Sequence, residues 1–376
     1  MIYLDNAATT FPKPSSVTKE ITECMNKYCG NAGRSGHFLS IKAAEKIYEC
    51  REKLAVFFGF DKPENVVFTL NTTYALNLAI KTLYEPKSHI LISNMEHNSV
   101  LRPINELMKS SEISYSVFNV LQPAKDIIAD LEKVKKDDTK MLIMTHASNV
   151  CGKVFPIKEV GEFCEKNKIT FIVDAAQSAG SIKINVKNCK IGALCAPAHK
   201  GLYGPQGLGF VIFCNANPKR IFLSGGNGVN SLSCDMGLEL PESFECGTMP
   251  APLAAGLCAS LKWLDYVGTE SICNHEISLA KMMMERLTTI RGTVLYGADE
   301  QKNGIVLFNN RYFSTDALSA FLSSKNICTR NGFHCAPLAH NALGTGKEGA
   351  VRISAGFFNT KDEIDKVYKE IKYFCK

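Results

Sequence analysis

From about residue 65 to about residue 215 the chain repeats one pattern: a short, wholly apolar run, then apolar residues at helical spacing. The runs are "NVVFT", "HILIS", "KMLIMTH", "ITFIVD", "ALCAP" and "LGFVIF", and helical patterns cover 74–83, 100–108, 127–134 and 157–167. Strands without inside–outside alternation are buried on both faces. Alternating with helices, such strands form a mainly parallel, doubly wound sheet, so the fold class is α/β. In these sheets ligands collect at the carboxyl ends of the strands. The residues just past each run are therefore where chemistry is expected.

A chain of 376 residues suits one large and one small domain. After the alternating region come a long helical pattern over 270–290, the runs "TVLYG" and "GIVLFNN", a helix from about Thr315, then "NICTR", "AVRIS" and a terminal helix. Thr360 and Glu363 form a capping box for that last helix, and Ile364, Val367, Tyr368 and Ile371 mark its apolar face. The expected division is a large α/β domain over 15–265 and a small α+β domain from 1–14 with 266–376.

The charge balance, 43 Lys and Arg against 37 Asp and Glu, is mild and contains no dense basic run, which argues against nucleic acid and suits a small anionic ligand. No apolar stretch reaches 18 residues and the start lacks a signal-peptide pattern, so neither a membrane span nor export is expected. Fifteen cysteines without export imply thiols in a reducing cytoplasm. No C-x-x-C pair is present, and most cysteines lie in apolar patterns as small core residues.

Past "NVVFT" stand Thr72 and Thr73, which suit a phosphate at a helix N-terminus or an ordinary cap. His97 follows "HILIS" and Asn149 follows "KMLIMTH"; each by itself also reads as a structural turn residue. Asp174 ends "ITFIVD", with Gln177 three residues on. A carboxylate at a buried strand end needs a partner: a helix start, a metal or a cationic ring nitrogen. His199 and Lys200 follow "ALCAP" in an apolar neighbourhood, where a lysine is lowered in pKa and becomes a nucleophilic amine. Phosphate-binding threonines, an acid at a strand end and a lysine 26 residues beyond it together describe a pyridoxal 5'-phosphate site.

With "YLDNAATT", "NTTYALN", "EHNS", "SNVCG", "VDAAQS", "HK" and "RNGFHCAP", the chain resembles the class V aminotransferase fold group, and within it the cysteine desulfurase and selenocysteine lyase family, over nearly its whole length. The resemblance implies the type I fold of pyridoxal-phosphate enzymes, a homodimer, L-cysteine or L-selenocysteine as substrate, and a protein sulfur acceptor. By position, Lys200 matches the Schiff-base lysine, Asp174 the partner of the pyridine nitrogen, Gln177 the residue bonding the ring hydroxyl, and His97 the imidazole stacked on the ring. Thr72, Thr73 and His199 match phosphate ligands, and Thr248 a phosphate ligand supplied by the second subunit. Arg352 matches the clamp for the substrate carboxylate, Asn149 a contact to substrate and cofactor, and Arg330 and His37 residues at the entrance.

Cys335 matches the thiol that takes the sulfur as a persulfide, and Gly332 and Pro337 are expected to shape a tight loop aiming it inward. Arg330 and His334 are expected to lend it positive potential, since the thiolate is the nucleophile. Where relatives carry a serine three residues before the lysine, this chain has Pro197, which cannot donate a hydrogen bond; the backbone of the "SGGNG" loop is the expected substitute. Two other readings remain in view: a class V aminotransferase without sulfur chemistry, and a zinc-binding sulfur carrier using Cys335, His334 and His340.

Overall fold

A computed structural model of the chain describes residues 1–33, 35–110, 112–229, 231–298 and 303–376. Its strands, in chain order, are β1 (Ile2–Tyr3), β2 (Val66–Thr69), β3 (Ser88–Ser93), β4 (Ile113–Phe118), β5 (Thr139–Thr145), β6 (Thr170–Asp174), β7 (Ala193–Pro197), β8 (Gly209–Phe213), β9 (Thr293–Tyr296), β10 (Ile305–Asn310), β11 (Ile327–Cys328) and β12 (Val351–Ser354).

Seven of them form the main sheet, in the order β2-β8-β7-β6-β5-β3-β4. β3, β4, β5, β6 and β7 pair in parallel, and β8 runs against both β7 and β2. Why these runs lack alternation is visible in the packing. Leu142, Met144, Phe171 and Val173 enter one apolar cluster, while Met141, Ile143 and Ile172 enter another on the opposite face. The first cluster is completed by helices Phe38–Phe57, Ala124–Val134, Ile157–Lys166 and Ala251–Val267, the second by Thr72–Leu83 and Asn98–Lys109. Burial on both faces is the general reason such strands read as continuous apolar runs.

Helices Ser15–Lys27 and Phe38–Phe57 have no counterpart in the sequence reading. Their buried positions include the small or polar Ser40, Ala43 and Cys50, so their apolar periodicity is faint; tertiary packing against Ala251–Val267 holds them.

A second unit contains the antiparallel sheet β12-β10-β9, helices Thr269–Thr288, Thr315–Ser324 and Lys361–Phe374, and a third apolar cluster. β1 pairs in parallel with β11, and Leu4 is buried in that cluster. The start of the chain is thereby laced to its end. At Thr360 the capping box forms: the Glu363 N–H donates to Thr360 Oγ1 at 3.3 Å, and the Thr360 N–H to Glu363 Oε2 at 3.0 Å. Among the described residues no helix is long and apolar enough to cross a membrane.

Candidate active site

The carboxyl ends of β2, β3, β5, β6 and β7 open on one cleft of about 100 Å³, lined by Thr72, Thr73, His97, Ser99, Asn149, Asp174, Gln177, His199 and Lys200 among others. Parallel register does this: each loop leaves the sheet on the same edge, so residues far apart in sequence converge.

At the first loop the cap of helix Thr72–Leu83 is Asn71, whose side chain accepts the Tyr74 N–H at 3.0 Å. The threonines are therefore free of capping duty. Thr73 Oγ1 shares a 2.8 Å hydrogen bond with Ser99 Oγ. Thr72 Oγ1 is buried and, among the described residues, has no partner; His199 Nδ1, across the same cleft, is in the same state. Buried polar atoms are rarely left so unless something binds them.

His97 caps helix Asn98–Lys109 by accepting the Ser99 N–H on Nδ1 at 3.0 Å, which puts the ring proton on Nε2. Burial first, and then the charges of Lys200 and Arg330, bring its pKa down to about 4, so it faces the cleft as neutral imidazole. At the end of β6, Asp174 Oδ1 accepts the Ala176 N–H at 2.9 Å. Burial pushes its carboxyl up while Lys200 pulls it down. Gln177 spends its amide on Ala7 O at 2.9 Å. In the turn after β7, burial lowers the Lys200 ammonium to about 8, with Asp174 opposing. The next residue must be glycine: a Cβ on Gly201 would lie 2.5 Å from Ala179 O.

These residues fit pyridoxal 5'-phosphate on their own chemistry. Thr72 Oγ1 and His199 Nδ1 are unpartnered polar atoms suited to a phosphate, Asp174 is a buried acid wanting a cationic partner, and Lys200 is an amine close to neutrality.

Arg352 lies on β12 with its side chain 1% exposed. Nη2 pairs with Asp5 Oδ1 at 2.7 Å, Nη1 donates to Asn149 O at 2.8 Å, and Nε has no partner among the described residues. Asp5 was missed by sequence reasoning although it stands inside "YLDNAATT"; an acid directly after a short apolar strand was the available signal. Asn149 does two jobs, since its Nδ2 also donates to His334 O at 2.8 Å.

The Cys335 loop runs from β11 to helix Pro337–Leu343. Gly332 adopts φ +93°, and its N–H and C=O both pair with Ala350 at 3.1 Å. His334 and Cys335 also sit at positive φ, +49° and +57°. Cys335 O accepts the Asn98 N–H at 2.7 Å, beside His97, and Arg330 Nη2 approaches Cys335 Sγ to 3.8 Å. Two expectations are corrected here. Cys335 is exposed at the rim instead of aimed into the cleft. His334 lends no positive charge: burial, Arg352 and His340 hold it far below its usual pKa, at about 2. Its Nδ1 faces His340 Nε2 at 3.1 Å, the two rings being stacked, and His340 Nδ1 meets Thr345 Oγ1 at 2.7 Å. The two imidazoles thus turn to each other and not toward the thiol. Among the described residues no group of His, Cys, Asp and Glu is arranged to hold a metal.

The structure brings together Thr72, Thr73, His97, Asn149, Asp174, Gln177, His199 and Lys200, with the buried Arg352 against Asn149 and with Arg330 and Cys335 at the rim. It leaves two residues outside. His37 is the exposed cap of helix Phe38–Phe57, and Thr248 is exposed beyond the cleft. The "SGGNG" loop lines a separate cavity with Cys234 and Met236, so it does not replace the donor missing at Pro197 within this chain.

Residues 2–367 match the family model "Aminotransferase class-V". The chain belongs to the class-V aminotransferase family, and within it to the branch of the cysteine desulfurases. It is 31% identical to a probable cysteine desulfurase of Methanothermobacter thermautotrophicus, covering 96% of this chain and 92% of the relative. It is 30% identical to a cysteine desulfurase of Haloferax volcanii, covering 99% and 88%. Among solved structures, the cysteine desulfurase of Thermococcus onnurineus superimposes with a TM-score of 0.89 at 30% identity, covering 100% of this chain and 94% of that one.

Proposed function

We propose that this protein is a pyridoxal-phosphate-dependent cysteine desulfurase, converting L-cysteine to L-alanine and holding the sulfur as a persulfide on Cys335. One observation carries the reading: a lysine lowered toward neutrality and a buried carboxylate share a cleft with unpartnered phosphate-suited atoms, and a thiol stands at its rim.

Thr72, Thr73 and His199 would hold the phosphate, Asp174 the ring nitrogen, Gln177 the ring hydroxyl and Lys200 the aldehyde carbon; His97 would cover the ring face. When bound, pyridoxal 5'-phosphate supplies an electron sink that loosens the Cα–H and Cβ–S bonds of the amino acid. Arg352 fixes the substrate carboxylate through its remaining N–H groups, a geometry suited to bidentate contact. Lys200, close to neutrality at pH 8, takes the α-proton and returns protons to the carbon skeleton. Cys335, with Arg330 Nη2 3.8 Å from its Sγ, attacks the substrate sulfur as thiolate; an S–S bond forms as the Cβ–S bond breaks, and alanine leaves.

The exposure of Cys335 supports onward transfer to a protein acceptor. The outward position of Thr248 supports a homodimer in which it reaches the other subunit's phosphate. The absence of disulfides among the described residues supports a reducing, cytoplasmic setting. The third apolar cluster, drawn wholly from 1–14 and 266–376, supports a division into a large domain over 15–265 and a small one from those segments, with the first cluster reaching across through Ile272, Leu307, Ala336, Ala339 and Ala350. The test is to incubate the cofactor-loaded protein with L-cysteine, measure alanine, and map a persulfide by mass spectrometry. Alanine with the persulfide on Cys335, both lost in Cys335→Ala, is expected; a colourless protein that makes no alanine would sink the reading.

A further inference from the structure

We propose that Asp5 is an internal counter-ion that competes with the substrate's α-carboxylate for Arg352, and thereby sets how tightly the substrate binds. The inference rests on the reading of Arg352 as the receiver of that carboxylate.

The guanidinium of Arg352 is almost wholly enclosed, and a buried charge is costly unless paired. Asp5 Oδ1, 2.7 Å from Nη2, supplies that pairing, and the Asn149 carbonyl takes Nη1. The contact is built in. Asp5 bridges in parallel to Ser354, two residues from Arg352 on the same strand, and the Asn6 N–H donates to Ser354 O at 3.2 Å. The Asp5 carbonyl is held as well, accepting the Ala8 N–H at 3.0 Å and the Tyr3 hydroxyl at 3.2 Å. The carboxylate therefore has little freedom to leave.

The consequence is electrostatic. Before substrate arrives, Arg352 and Asp5 cancel. A second carboxylate docking on the same guanidinium, through the unpartnered Nε, feels the cation and, a few ångströms farther on, the fixed anion. Like charges at such separations in a poorly solvated site repel appreciably. Arg352 is thus held in place by the same group that weakens its grip on substrate.

Asp5→Asn separates the two roles. The asparagine amide oxygen still accepts from Nη2, so the guanidinium stays placed while the charge is removed. In the cofactor-loaded enzyme the KM for L-cysteine is expected to fall at least tenfold, equivalent to about 1.4 kcal/mol, with kcat changed less than about threefold. Propionate, a carboxylate with no amine, serves as a second probe by calorimetry on the same proteins. Its affinity should rise in parallel in Asp5→Asn and vanish in Arg352→Gln. An unchanged or raised KM in a folded Asp5→Asn enzyme, with propionate binding no tighter, overturns the inference. So does propionate binding indifferent to both substitutions. If the wild-type enzyme makes no alanine, the proposed function falls, while tighter Arg352-dependent propionate binding in Asp5→Asn still upholds the counter-ion.

Discussion

Arg51→Met is the substitution whose cost the structure specifies best. Arg51, on helix Phe38–Phe57, meets Glu245 through both terminal nitrogens, Nη1 to Oε1 at 2.7 Å and Nη2 to Oε2 in a shorter contact. The two side chains are only 7% and 5% exposed. Nη1 also donates to Val66 O, Glu245 Oε1 accepts the Phe68 N–H, and the guanidinium lies 4.8 Å from the Phe68 ring. The pair therefore clips the segment leading to Thr248 onto β2. Removing one member of such a pair strands a buried charge and costs about 3–5 kcal/mol, whereas replacing both with apolar groups is far milder. Arg51→Met/Glu245→Leu leaves the Phe68 N–H without this acceptor and the Val66 carbonyl without this donor, about 1–3 kcal/mol for each group left unpaired, and strands no charge. Burial already pushes the Glu245 carboxyl up, with Arg51 opposing. Without Arg51 its pKa rises further, so the single variant loses stability as pH climbs from the ordinary carboxylate range toward that raised value. Denaturant unfolding followed by Trp263, the chain's single tryptophan, reads this directly, because its ring packs 5.0 Å from Tyr203 and 5.4 Å from Phe357. A single variant that loses under about 1 kcal/mol, or a double variant no better than the single, would refute the reasoning.

Three further outcomes are expected. Acylation of Lys200 in the cofactor-free protein, mapped by mass spectrometry, should reach half its limiting rate near pH 8, where the lysine sits at about 8; because Asp174 raises that pKa, Asp174→Asn should move the midpoint lower still, and a midpoint above 10 contradicts the site. Thr72→Val should leave the cofactor-free protein as stable or more so, since it deletes an unpartnered buried hydroxyl, while weakening cofactor binding about tenfold, as befits one hydrogen bond to a charged group; equal losses in both measurements would show the hydroxyl to be structural. His340→Asn should slow persulfide formation on Cys335 about tenfold with cofactor affinity unchanged, because the ring steadies His334 at 3.1 Å within the loop; normal sulfur transfer would mean the loop holds itself.

The sequence was legible where a residue's chemistry was at odds with its surroundings. Asp174 and Lys200 announce themselves because charges at the ends of apolar strands need a use, and the runs around them fix the sheet that brings them together. What stayed hidden was pairing. His334 beside a cysteine reads as a nearby positive charge; only the fold shows a second imidazole stacked on it and its charge suppressed by burial. Asp5 reads as one letter of an N-terminal motif until β1 docks on β11 and sets it against Arg352. His37 and Thr248 carry the reverse lesson, since each matches a motif position and yet lies exposed outside the cleft of this chain.

Asn149 ties these observations into one device. Its carbonyl accepts from Arg352 and its amide donates to the carbonyl of His334, the residue before Cys335. Arg352 and the Cys335 loop are thus joined through a single residue, the first by its backbone carbonyl and the second by its side-chain amide. His334 and Cys335 hold positive φ, a conformation that costs ordinary residues free energy and persists only where contacts impose it. The amide of Asn149, the N–H of Asn98 and the His334–His340 stack are those contacts. Asn149→Ala keeps the backbone carbonyl that Arg352 uses and deletes only the amide donor to His334 O, so it should slow sulfur transfer through the loop with little change in the KM for cysteine. Asn149→Asp keeps the size and the backbone carbonyl but turns the donor into an acceptor facing His334 O; it should spare KM and slow transfer. An Asn149→Asp enzyme impaired in KM alone would show that the amide serves the substrate and not the loop.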